Sequence, residues 1–148
     1  MAEFTYAKGR ILDSVRFISD EMKEFQQDYA GKTWREYQED RKLQKLMERT
    51  VENILTALIE VCGTYLSEKG IAVESYGEAL REAGKTLGFS EEEQGHLVRL
   101  AVQGNRLAHR YLDFRWQAIK TYADQRDLIA RLIILVLEKE EEKQPGIN

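Results

Sequence analysis

The sequence predicts an all-α protein, on three observations. Apolar residues recur at intervals of three and four along most of the chain, the period of one helix face. Ser or Thr stands three positions before Glu at Thr33, Ser75 and Ser90, the pattern of a capping box at a helix start. The 148 residues include a single proline, and almost nothing alternates apolar with polar as a half-buried strand does. A chain of this size fits one domain, so residues 1–148 are expected to fold as a single unit.

The elements follow in order. Ile11, Val15, Ile18, Met22 and Phe25 define the apolar face of a first helix that ends near Gly31, a C-terminal cap. The Thr33 box starts a second. Leu43, Met47, Val51, Ile54, Leu58, Val61 and Tyr65 continue one stripe until Gly70 closes it. This spine is either a single helix of about 30 residues or one broken near Asp40. The boxes at Ser75 and Ser90 begin a short third helix and a fourth, with Gly88 between them. In the fourth, Leu97, Val98, Leu100, Ala101 and Val102 cover most of the circumference, so its neighbours are expected to enclose it. Val98, Val102, Asn105, His109 and Leu112 then lie along one row, which carries Asn105 and His109 into that buried face. A last helix covers roughly 116–142. Its LIARLIILVL segment is broader than a stripe, which suggests a subunit contact. Residues 136–148 read as a charged, fraying end.

Composition excludes several classes. The chain is 43% hydrophobic, yet its longest apolar run, LIILVL, falls well short of the roughly 18 residues of a membrane span. The N-terminus carries no basic and apolar secretory pattern, and the lone Cys62 reads as a buried, inert thiol. These features point to the cytoplasm and to no membrane partner. With a net charge of −4, bulk composition does not supply a basic surface, so any RNA contact has to be local. No zinc spacing or phosphate-binding glycine loop occurs, and His96 is poorly spaced to share a metal with His109.

The stretch Gly104-Asn105-Arg106-Leu107-Ala108-His109-Arg110-Tyr111 gathers an amide, guanidinium groups, an imidazole and a phenol. Together with the helix order and the SYGEAL segment from Ser75, its NRLAHRY portion resembles the HEPN superfamily and, within it, the HepT-like branch. The resemblance covers nearly the whole chain. It implies a compact antiparallel bundle of four to five helices, usually a homodimer. It also implies an endoribonuclease that cleaves RNA with no metal or other cofactor, acting as a toxin paired with a minimal nucleotidyltransferase antitoxin.

The family signature reads Arg, a polar residue often Asn, three residues, His, one residue, Tyr. Asn105, His109 and Tyr111 match it, whereas Gly104 stands where the family has Arg. By that resemblance His109 is the catalytic acid or base, Asn105 positions the phosphate or the imidazole, and Tyr111 is the candidate adenylylation site. The chemistry fits: cleavage by the ribose 2′-hydroxyl needs proton transfer, which an imidazole performs near neutrality, and a donor for the charge building on phosphate. Arg106, three residues before His109, is the candidate charge donor in place of the missing arginine, while Arg110 projects to another sector. Arg99, Arg106 or Arg110 of a second subunit is the alternative source. Gly104 also has a structural reading, as a residue that lets a neighbouring backbone approach. Two function classes therefore stand open: an active endoribonuclease, or a catalytically inactive interaction protein that keeps the surface for its nucleotidyltransferase partner.

Overall fold

The computed structural model describes residues 2–142, with side chains from Arg10 onward. Seven helices and no strand occur among the described residues: α1 (Ala2–Asp28), α2 (Trp34–Glu39), α3 (Arg41–Glu68), α4 (Tyr76–Thr86), α5 (Glu91–Leu107), α6 (Leu112–Asp124) and α7 (Arg126–Glu142). The fold is all-α. Five expected helices become seven because two of them are divided, at Asp40 and at Gln125.

The apolar stripes of α1 and α3 pack as their spacing requires. Ile11, Val15, Ile18 and Phe25 of α1 are buried, as are Met47, Val51, Ile54, Leu58, Val61 and Tyr65 of α3. At 28 residues α3 is roughly 40 Å long, and it contacts each of the six other helices, so the core forms around it. Cys62 lies inside that core and burial pushes its thiol up to about 12, which leaves it without reactive thiolate at neutral pH.

Local chemistry explains most boundaries. Asp40 closes α2 and opens α3: its amide donates to the Tyr37 carbonyl, and its carboxylate accepts the Leu43 amide at 3.0 Å. Gln44 then donates to the Tyr37 carbonyl at 2.8 Å, fixing the corner between the two helices. Both partners of the capping box are present at Thr33 and Ser90. At Ser75 the hydroxyl caps the Glu78 amide, but the Glu78 carboxylate turns to the Glu74 amide instead. Gly70 and Gly88 adopt φ of +73° and +88°, the left-handed conformation that ends a helix cheaply only with glycine.

Three expectations are corrected. The fourth helix is not continuous through His109 to Leu112; it ends at Leu107, and α6 starts at Leu112. It is also not enclosed. Leu97, Leu100, Gln103 and Leu107 form its buried face, whereas Val102 is 47% exposed and Asn105 is exposed as well. The expected fraying end is regular helix as far as Glu142, with Val136 fully buried and Glu140 nearly so; residues 143–148 lie outside the described part. Along α7, Leu128, Ile129, Leu132, Ile133 and Val136 face the core and Ile134 is 54% exposed, so most of its broad apolar surface is covered within the chain itself. No helix among the described residues is long and apolar enough to cross a membrane.

Candidate functional site

The break between α5 and α6 builds the site. Helix α5 ends when the amides of Ala108 and His109 bond back to the carbonyls of Gly104 and Arg106, at 3.2 and 3.1 Å. Two residues on, the Tyr111 amide donates to a side chain instead, to Nδ1 of His109 at 3.1 Å. This bond sets the imidazole's orientation and its tautomer, because a neutral ring whose Nδ1 accepts carries its proton on Nε2. His109 is half-buried rather than core.

Around it an aromatic cluster forms. The His109 ring lies 4.8 Å from the Tyr111 ring and 4.7 Å, edge to face, from Phe114; Tyr111 and Phe114 are 5.9 Å apart. Such edge contacts hold aromatic rings in fixed relation. Tyr111 is 51% exposed and Phe114 37%, so the cluster opens to the surface. Arg110 leans over the Tyr111 ring, its guanidinium carbon 5.2 Å from the centroid and Nη2 donating to the phenol oxygen at 3.4 Å. The break between the helices places Arg110 on this side, whereas a continuous helix predicts another sector for it.

The other sequence candidates fall in different places. Asn105 is exposed on the last turn of α5. Arg106 turns toward α6, with Nη1 3.5 Å from Oε1 of Gln117. Arg99 is engaged with Nδ1 of His96 at 2.9 Å. A Cβ built at Gly104 meets nothing within 4 Å, so no backbone presses on it within the chain; the glycine that serves close approach is Gly84, whose added Cβ would lie 2.8 Å from Cδ1 of the buried Leu97. Among the described residues no three His, Cys, Asp or Glu side chains are grouped so as to hold a metal ion.

The loop is clamped from beneath by residues that sequence reading missed. Arg115 on α6 pairs with Glu48 on α3 at 2.9 and 3.1 Å, and its Nη2 donates to the Arg110 carbonyl at 3.5 Å. Tyr37 on α2 donates to Oε2 of the same Glu48 carboxylate. Burial, and next that bond to Glu48, push the Tyr37 phenol far above its ordinary range, so it remains a donor at any physiological pH. Tyr37 also packs on Trp116 at 5.0 Å, and Trp34 lies 5.8 Å from Trp116, fastening α2 against α6. Nothing local in the sequence marks Glu48 and Arg115 as partners. Phe114 was within reach, since it follows Tyr111 by one helical turn once the helix start at Leu112 is known.

The side chains of Arg115 and Glu48 are 22% and 14% exposed, between the surface pairs worth under about 1 kcal/mol and the buried ones that cost about 3–5 kcal/mol to break. Glu48→Gln should therefore lower stability to urea by about 2 kcal/mol. Arg115→Met should cost a similar amount, and the double variant less than the two combined. A Glu48→Gln loss under about 0.5 kcal/mol would show that the clamp carries little.

The chain matches the family model for HepT-like proteins, described as Ribonuclease HepT-like, over residues 18–136. No curated protein matches the chain at a significant level. The matched span runs from the buried Ile18 of α1 to the buried Val136 of α7 and includes α3, the Glu48–Arg115 clamp and the whole 104–111 segment. On that match the chain belongs to the HepT-like ribonuclease family.

Proposed function

We propose that this chain is a toxin-type endoribonuclease that cleaves RNA without a metal, as a homodimer whose two 104–111 segments face a shared cleft. The observation that carries the reading is the surface cluster in which the motif residues His109 and Tyr111 pack with Phe114, flanked by the guanidinium of Arg110. Exposed aromatic rings beside a cation suit unpaired RNA, whose bases stack and whose backbone is anionic. The exposed Val102 on α5 is apolar surface for a second copy to cover, which leaves the aromatic rings open to RNA. We read residues 1–148 as one domain acting in the cytoplasm.

In the proposed reaction the ribose 2′-oxygen bonds to the adjacent phosphorus while the bond from phosphorus to the 5′-oxygen breaks, giving a 2′,3′-cyclic phosphate and a 5′-hydroxyl. His109 is the proton-transfer group. Its ring releases the Tyr111 amide, takes a solvent proton on Nδ1 and, as an imidazolium, passes the Nε2 proton to the departing 5′-oxygen; the 2′-proton goes to water. Asn105 orients the phosphate, and charge comes from the arginines that flank the loop, Arg106 and Arg110. Control falls to a nucleotidyltransferase antitoxin. The exposed phenol of Tyr111 attacks the α-phosphorus of a nucleoside triphosphate, pyrophosphate leaves, the phenolic proton passes to water, and the added anion repels RNA.

Gly104 supports a second reading, that of an inactive family member that binds the same nucleotidyltransferase partner. Loss of a donor that stabilises developing charge costs on the order of 10²–10³ in rate. The test is clean, since an arginine at 104 meets no obstruction and replacing a helical glycine removes a penalty of about 1 kcal/mol. In chelator, the native chain should cut a mixed RNA pool, His109→Ala should not, and Gly104→Arg should cut faster. An inert native chain with an active Gly104→Arg variant would select the second reading. Light scattering after size exclusion should give twice the chain mass at micromolar concentration, and a strict monomer would contradict the shared cleft.

A further inference from the structure

We infer that Arg110 supplies the positive charge that the family motif places at position 104, and that it binds the RNA phosphate beside His109. The assignment rests on the endoribonuclease reading above and goes further by naming the residue that makes up for Gly104.

The argument is one of position and availability. Four arginines lie on the α5–α6 segment. Arg99 is held by the His96 imidazole, Arg106 turns to Gln117, and Arg115 is drawn under the loop by Glu48. Arg110 is exposed and, like Arg99 and Arg106, has no carboxylate partner among the described residues; what sets it apart is its contact with the Tyr111 ring. Its guanidinium abuts the same Tyr111 ring as the His109 imidazole, at 5.2 Å against 4.8 Å between the two rings. Cation and imidazole thus both lie against one exposed ring of the loop. A guanidinium offers paired donors that match two phosphate oxygens, and it keeps its charge at any working pH.

The backbone beneath it is anchored too. Nη2 of Arg115 donates to the Arg110 carbonyl, so the Glu48 clamp holds the residue that carries the free charge. Charge at position 110 is therefore delivered from the loop after the helix, whereas the motif position lies on the helix itself. The same contact bears on Tyr111. A phosphodiester on its phenol oxygen, 3.4 Å from Nη2 of Arg110 before modification, would pair with that guanidinium inside the chain and take it away from RNA.

The test is a rescue series on a single-stranded RNA substrate in chelator, with the native chain, Arg110→Gln, Arg110→Lys, Gly104→Arg and the double variant Gly104→Arg/Arg110→Gln. Circular dichroism confirms folding of each, and kcat and KM are measured separately. Arg110→Gln should lose on the order of 10²–10³ in kcat, Arg110→Lys should keep part of it, and the double variant should recover most of it because the charge returns at the motif position. Arg110→Gln cutting within threefold of the native chain would overturn the assignment, as would a double variant that stays as slow as Arg110→Gln. A native chain that is inert while Gly104→Arg cuts would also overturn it and leave the family reaction standing. Cleavage by none of the five would count against both the assignment and the reaction.

Discussion

The structure of the site depends on the ion pair between Glu48 and Arg115. It joins the central helix to the first turns of α6, residues 67 positions apart, and it does so where both side chains are largely out of water. A charge in that setting is tolerated only with its partner and further hydrogen bonds in place. Tyr37 supplies one of those bonds, and burial together with the bond itself keeps its phenol protonated. Arg115 then has a donor left for the Arg110 carbonyl. Through one carboxylate, α2, α3, α6 and the loop before α6 are fixed relative to each other.

What the clamp fixes is a short irregular segment that a helix could not provide. On a continuous α5 the His109 backbone would be bonded within the helix and its ring free to choose rotamers. With the helix ended at Leu107, the Tyr111 amide needs an acceptor, and Nδ1 of His109 takes it. That one bond orients the imidazole and, in the neutral ring, selects its tautomer. The same break brings Arg110 onto the Tyr111 ring and Phe114 against His109. The departure from the family motif at Gly104 falls one turn earlier, on an open part of α5, away from any packing role within the chain. The chemistry proposed for the site therefore turns on the loop rather than on the end of the helix.

The sequence carried the fold because its signals are local and repeated. The α1 and α3 stripes, the boxes at Thr33 and Ser90 and the glycines at 70 and 88 each act within a few residues, and they appear where their spacing puts them. The break at Asp40 was legible as an alternative for the same reason. The breaks at Ala108 and Gln125 were not, since neither position carries a glycine or proline to mark it. Taking α5 as continuous put Asn105 and His109 on a buried row and sent Arg110 to the wrong side. The motif residues Asn105, His109 and Tyr111 were legible only through the family resemblance. Glu48, Arg115 and Tyr37 had no signal at all, since nothing short of the folded chain brings them together.

The central claim is that the loop holds His109 in one tautomer through the Tyr111 amide. The chain has two histidines, so the imidazole nitrogen shifts of His109 can be assigned by ¹⁵N NMR with a single His96→Gln comparison. At about pH 9, where an imidazole is neutral, the account predicts that Nε2 carries the proton and Nδ1 shows the shift of a hydrogen-bonded acceptor. A proton resident on Nδ1, or an even exchange between the two nitrogens, would mean that the Tyr111 amide does not hold the ring and that the clamp does not shape the site.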